Sequence, residues 1–244
     1  MIEVESLSKT FHDRKRGPVS AVSDVTFACR PGEVYGLLGP NGAGKTTTLR
    51  MISTALRPTG GRARVMGHDV LTHPIEVRRS IGFLSANTGL YGRLTPRETL
   101  HYFGKLFGMG NGKLQSRIDS LAEIFGMTSF LDRPCDKLST GMRQKVNIAR
   151  TVLHDPPVMV FDEPSSGLDV LTSRTIVQFI RECKEQGKIV LFSTHIMAEV
   201  EKLCDHVGMI HQGRLAFSGT LAELRDQFGD EIDEAFIRII GEAA

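Results

Sequence analysis

The sequence predicts an α/β fold: a mostly parallel sheet, a small antiparallel β part near the N-terminus and a helical subdomain inserted midway. Three observations carry this. Apolar runs at 158–161, 189–192 and 207–210 have the length of buried strands. A helical pattern of Ile176, Phe179, Ile180 and Cys183 separates the first two runs, and strands alternating with helices build parallel sheets. Between about residues 95 and 152 the apolar spacing becomes helical throughout.

In order along the chain, residues 2–7 and 21–30 are β-rich, the second with apolar alternation at Val25 and Phe27. Pro31-Gly32 marks a turn, and residues 34–38 form a short apolar strand. A glycine-rich loop and a helix over 45–56 follow, then β segments at 62–66 and 81–84. Thr95-Pro96-Arg97-Glu98 starts a helix, with Thr as N-cap, Pro at the first position and Glu at the third. Leu100, Phe103, Leu106 and Phe107 continue it, and Asn111-Gly112 is expected to break it. Leu114, Ile118, Leu121 and Ile124-Phe125 make a second amphipathic helix. The whole reads as one domain over 1–228, with the helical insertion at about 88–152 and a short tail over 229–244.

Composition removes several function classes. The 244 residues are 41% hydrophobic and 24% charged, which is globular and not disordered. Thirty Lys and Arg against 28 Asp and Glu leave a net charge of +2, so no nucleic-acid partner is expected. Arg14-Lys15-Arg16 reads as a solvated loop. The four cysteines have no C-x-x-C pairing, and His195 and His206 complete no zinc spacing. Scattered thiols suit a reducing compartment. The first residues carry no secretory pattern, and no run nears the ~18–20 apolar residues that span a bilayer.

Gly39-Pro40-Asn41-Gly42-Ala43-Gly44-Lys45-Thr46-Thr47 fits the phosphate-binding pattern G-x-x-x-x-G-K-[ST], with a strand before it and a helix after it. Its backbone N–H groups and the helix N-terminus point at phosphate oxygens. Lys45 reaches the β- and γ-phosphates, and the Thr46 hydroxyl ligates Mg²⁺. A plain strand-to-helix turn is the bland alternative; the pattern and its context together outweigh it. The core is therefore expected to be that of a P-loop NTPase (RecA-like).

The strand at 158–161 ends in Asp162-Glu163, and ligands gather at such strand ends. Asp162 is expected on Mg²⁺ and Glu163 on the water that attacks the γ-phosphate. The strand at 189–192 ends in Ser193-Thr194-His195, which places an imidazole where the γ-phosphate lies.

Leu138-Ser139-Thr140-Gly141-Met142 alone could be a helix cap. Together with the loop at 39–47, the strand end at 158–163, Ser166-Gly167-Leu168-Asp169 and His195, it resembles the ATP-binding cassette (ABC) ATPase family over residues 2–228. The resemblance implies ATP and Mg²⁺ as cofactors and hydrolysis of ATP. It implies that Phe11 stacks on adenine and that Ser139 and Gly141 bind the γ-phosphate held by the opposite protomer. It implies that Asp169 belongs to a loop at the dimer interface and that His195 is the switch histidine. One chain then supplies half of each site, so the partners are a second protomer, in an ATP-promoted homodimer, and an integral membrane permease. The expected place is the cytoplasmic face of the membrane. Residues 81–100, 167–169 and 193–204 look most like the sodium-efflux (NatA-like) and drug-resistance exporter group. The Phe103, Phe107 and Tyr91 region is a candidate docking surface for the permease, although aromatic side chains at helical spacing are more often plain core.

Two departures stand out. Thr140 and Met142 replace the usual Gly and Gln of the signature, while Ser139 and Gly141 are intact. Ala86 stands where the family places a glutamine, so Asn87 or water is expected to take that role. The rival reading within the family is a soluble ATPase acting in translation or DNA maintenance. This chain has one cassette, no heptad run and no basic excess for that work. A small-molecule P-loop kinase would lack the signature, and an idle regulatory partner would lack the intact Lys45, Asp162, Glu163 and His195.

Overall fold

The computed structural model describes residues 1–13, 15, 17–85 and 88–242. Long strands β1 (Ile2–Asp13) and β2 (Gly17–Cys29) form an antiparallel pair, and β3 (Val34–Leu38) leads into α1 (Lys45–Ile52). Then come β4 (Gly60–Val65), β5 (His68–Asp69), α2 (Pro74–Ser80) and β6 (Ile81–Leu84). The insertion holds α3 (Pro96–Leu106), α4 (Asn111–Ile124) and α5 (Thr140–Val152). The chain continues through β7 (Val158–Asp162), α6 (Val170–Glu185), β8 (Ile189–Thr194), α7 (Met197–Leu203), β9 (His206–His211), β10 (Arg214–Thr220), α8 (Leu221–Phe228) and α9 (Ile232–Glu242).

Two sheets result. The antiparallel sheet has order β2-β1-β4-β5, and the larger has order β10-β9-β3-β8-β7-β6. In the larger sheet every pairing is parallel except β9 with β10. Strands β3, β7 and β8 are buried at every position, as apolar runs covered on both faces must be. Between the sheets pack Ile2, Leu7, Leu37, Leu49, Val160 and Leu191. The opposite face of the larger sheet meets the helices through Leu100, Ile118, Phe125, Phe161, Phe179 and Phe192.

The start of α3 has the expected capping box: Thr95 accepts from the Glu98 amide at 3.1 Å, and Glu98 accepts from the Thr95 amide at 2.9 Å. Two expectations are corrected. The helix expected over 45–56 stops at Ile52, because Thr54 takes φ 63° and the Leu56 amide turns back to the Arg50 carbonyl at 3.0 Å. Asn111-Gly112 does not break the helices but forms the first turn of α4, where Asn111 accepts from Lys105 of α3. The break lies at 107–110, with Gly108 at φ 74°.

Residues 229–244 include a packed helix. Ile232, Ala235 and Ile239 of α9 are buried in the same core as α7. All four cysteines, Cys29, Cys135, Cys183 and Cys204, are buried and unpaired. Burial pushes the Cys183 thiol up to about 12, and raises the other three as well. Among the described residues no helix is long and apolar enough to cross a membrane.

Candidate nucleotide site

The loop at 39–44 can only be built from glycine at its two ends. A Cβ on Gly39 would stand 2.3 Å from the Ile210 carbonyl oxygen. Gly44 takes φ 111°, and a Cβ there would meet the Ala21 carbonyl oxygen at 2.7 Å. No side chain caps α1 at Gly44, so its first amides remain open to an anion. The cleft before it, about 130 Å³, is phosphate-sized and is lined by Pro40, Asn41, Gly42, Thr46, Thr47 and Glu163 among others. Ala43 is instead buried under the loop, its amide closing a turn onto the Pro40 carbonyl at 3.2 Å.

Lys45 is buried, and its ammonium donates to the Gly39 carbonyl at 2.6 Å and the Pro40 carbonyl at 3.2 Å. It also lies 3.3 Å from Glu163 Oε1. The other Glu163 oxygen, Oε2, lies 3.3 Å from His195 Nδ1. Strand order explains the meeting: β8 lies between β3 and β7, so the ends of all three strands converge.

Asp162 is fully buried. Its Oδ1 accepts from Thr46 Oγ1 at 3.0 Å and from Ser193 Oγ at 2.8 Å, while Oδ2 is buried with no partner among the described residues. An orphaned carboxylate oxygen beside a hydroxyl is a donor set that fits a hard divalent cation. No cluster of three or more His, Cys, Asp or Glu could hold a metal among the described residues, so such a cation would take its remaining ligands from water or phosphate oxygens.

Glu163 adopts φ 49°, a left-handed conformation that costs a non-glycine residue roughly 1–2 kcal/mol. Its amide donates to the Ser193 carbonyl at 3.2 Å and to Ser193 Oγ at 3.0 Å, which hold it there. The strain turns the carboxylate toward Lys45 and His195.

A family model described as ABC transporter matches residues 22–166. This chain belongs to the ABC transporter ATPases. It is 46% identical over 225 residues to the ABC transporter ATP-binding protein NatA of Bacillus subtilis (strain 168), covering 92% of this chain and 91% of that one. It is 36% identical over 231 residues to the daunorubicin/doxorubicin resistance ATP-binding protein DrrA of Streptomyces peucetius, covering 95% of this chain and 68% of that one. A solved ATP-binding subunit of an ABC transporter superposes with a TM-score of 0.89 at 32% identity, covering 98% and 99% of the two chains. The cassette is thus an ATP-binding, ATP-hydrolysing transporter subunit, and proteins of this family pair their ATPase domains and work with membrane permeases.

The cassette does not bring all its expected site residues together. Ser139 is exposed and caps α5, accepting from the Met142 amide at 3.3 Å. Gly141 lies against Asp169: a Cβ on it would stand 3.2 Å from Asp169 Oδ2. Asp169 caps α6, and the Thr172 amide, then its hydroxyl and the Leu171 amide, hold its carboxyl below the usual carboxylate range. None of these three lines the Lys45 cleft. Phe11 is 42% exposed on β1, opposite Val19, with the Lys9 ammonium 5.1 Å from its ring. Ala86 and Asn87 lie outside the described residues, as do Arg14 and Arg16.

Ser193 was not singled out by sequence reasoning, although it touches both Asp162 and Glu163. Its only signal was its place two residues before His195 at a strand end. Gln144 also escaped notice: its amide donates to the Pro164 carbonyl at 2.8 Å and ties α5 to the loop after Glu163.

Proposed function

We propose that the cassette hydrolyses ATP in a sandwich of two identical chains, at the cytoplasmic face of the membrane, to power an exporter-type permease. The observation that carries this reading is the Glu163 carboxylate, 3.3 Å from both Lys45 and His195 and adjacent in sequence to the orphaned oxygen of Asp162. In this reading the amides of Gly42 and of residues 44–47, together with Lys45, cradle the phosphates, and Phe11 stacks on adenine. Thr46 and Asp162 hold Mg²⁺, which when bound neutralises charge on the phosphates. Glu163 takes the proton of the attacking water, a step worth about 10²–10⁴ in rate. His195 hydrogen-bonds the γ-phosphate and orients that water. As the phosphate enters, Lys45 exchanges its contact with Glu163 for phosphate oxygens, leaving the carboxylate free to act as base.

Ser139, Gly141 and Asp169 then serve the partner's nucleotide. Their position away from the chain's own cleft supports this division. The permease meets the insertion near Tyr91, Tyr102 and Leu106, which are 60%, 49% and 65% exposed. Tyr91 and Tyr102 contact edge to face at 6.4 Å. Phe103 is partly buried against the helical core, with the Arg150 guanidinium 4.9 Å from its ring, while Phe107 stacks on His154 at 3.8 Å and stays 43% exposed. Likeness to a resistance protein supports export, with sodium or drug-type cargo selected by the permease.

The test is affinity purification of the tagged chain from detergent-solubilised membranes. A polytopic protein in equal amount is expected. Recovery with ribosomes, or alone, would overturn the transport reading while leaving the ATPase chemistry intact.

A further inference from the structure

We propose that Glu199 is a positioning residue for ATP hydrolysis, clipping together the two loops that carry Glu163 and His195. Glu199 lies on α7 and is 7% exposed. Its Oε1 accepts from the Ser165 hydroxyl and its Oε2 from the Thr194 hydroxyl, the latter at 2.8 Å. Ser165 and Thr194 are themselves buried. Ser165 sits two residues after Glu163, and Thr194 directly before His195. One carboxylate therefore fixes the loop leaving β7 to the end of β8, with one oxygen for each.

Among the described residues no cation pairs with Glu199. A buried carboxylate without a cation is expensive, and only its two hydroxyl donors offset the cost. An apolar residue would fill the space at less cost but would leave both hydroxyls without the acceptor they now share and the two loops independent. The clip is reinforced from below: the Ile196 amide donates to Thr194 Oγ1 at 3.0 Å, and the Glu199 amide to the Ile196 carbonyl at 3.1 Å. What this geometry sets is the 3.3 Å separation of Glu163 Oε2 and His195 Nδ1. If that separation loosens, the base and the γ-phosphate ligand lose their common alignment on the water.

The inference rests on the roles given to Glu163 and His195, so its test separates the two. Steady-state Mg-ATP turnover of the full chain is measured for Glu199→Ala, Glu199→Gln, His195→Ala, Glu163→Gln and the Glu199→Ala/His195→Ala pair, beside melting curves. Glu199→Ala is expected to lower kcat about 10–100-fold with KM held, the usual cost of losing such a support. Glu199→Gln keeps one accepted bond and reverses the other, and is expected to recover most of the rate. In the His195→Ala background Glu199→Ala is expected to cost less than about twofold, because the two act as a unit. An unchanged kcat, or a full additive loss in that background, overturns the proposal. If Glu199→Ala does not fold, Thr194→Val removes one arm of the clip without a charge change, and an unaltered kcat there overturns it equally. An active Glu163→Gln protein would instead overturn the base assignment beneath it.

Discussion

Lys45 Nζ lies 3.3 Å from Glu163 Oε1, so the cation proposed to bind phosphate touches the carboxylate proposed as the base. The contact holds the buried ammonium, which among the described residues otherwise has only the carbonyls of Gly39 and Pro40. A γ-phosphate must compete with Glu163 for Lys45.

Removing that competition has a readable effect. Glu163→Gln is expected to cut phosphate release by about 10²–10⁴. Its affinity for ATP should rise, by up to about tenfold, since a negative charge leaves the cleft. Titration with a fluorescent nucleotide measures the second effect, and weaker binding would contradict the competition.

Ser193 ties Asp162 and Glu163 together with one hydroxyl, donating to the Asp162 carboxylate and accepting from the Glu163 amide. Ser193→Ala is expected to lower kcat about 10–100-fold and to destabilise the chain by about 1–3 kcal/mol. Turnover at saturating ATP and denaturant midpoints test the pair of effects, and wild-type turnover would remove Ser193 from the site.

Asp162 holds the orphaned oxygen of the proposed cation site. Asp162→Asn is expected to raise the Mg²⁺ concentration for half-maximal turnover by at least about tenfold, while binding of ATP in the presence of chelator stays the same. A magnesium titration decides, and an unmoved midpoint would point to other ligands.

The Thr95–Glu98 capping box lies away from the chemistry. Thr95→Ala is expected to cost about 1 kcal/mol, which for a chain of this size lowers Tm by about 2–4 °C. ATP turnover of the isolated chain should be unaffected at 25 °C.

His154, stacked on Phe107, has its pKa pushed down to about 4, mainly by burial. Unfolded, it titrates near 6.5, so between 6.5 and 4 the unfolded chain binds the extra proton. Stability is full above about 6.5, falls as pH drops through that window and levels off below about 4. Because the ring is partly exposed, the loss is discounted to roughly 1–2 kcal/mol. His154→Phe should flatten this part of the Tm-against-pH curve; an unchanged slope would assign it to other groups.

Much of this was legible in the sequence where local chemistry and tertiary packing agree. Residues 34–38 and 81–84 are strands at the expected bounds, because each is a short apolar run with turn residues beside it. Lys45, Thr46, Asp162, Glu163 and His195 meet at one cleft because they end or follow neighbouring parallel strands. What stayed hidden depends on distance through space. Helix α7 is short and half polar, and Glu199 within it looks like any solvated helix residue until Ser165 and Thr194 are seen against it. Asn111 has turn chemistry, yet packing of Leu114 and Ile118 extends α4 back over it. Strand β10 alternates weakly at a sheet edge, and the apolar face of α9 is short.

The burial of every native thiol bears on how motion in this chain can be watched. Thiol-reactive dyes and spin labels attack the exposed thiolate, and burial keeps Cys29, Cys135, Cys183 and Cys204 both hidden and protonated. A single cysteine introduced at exposed Tyr91 would therefore carry a probe almost alone. The natural chain already serves as its own silent background for spectroscopy, with no core cysteine to be replaced first.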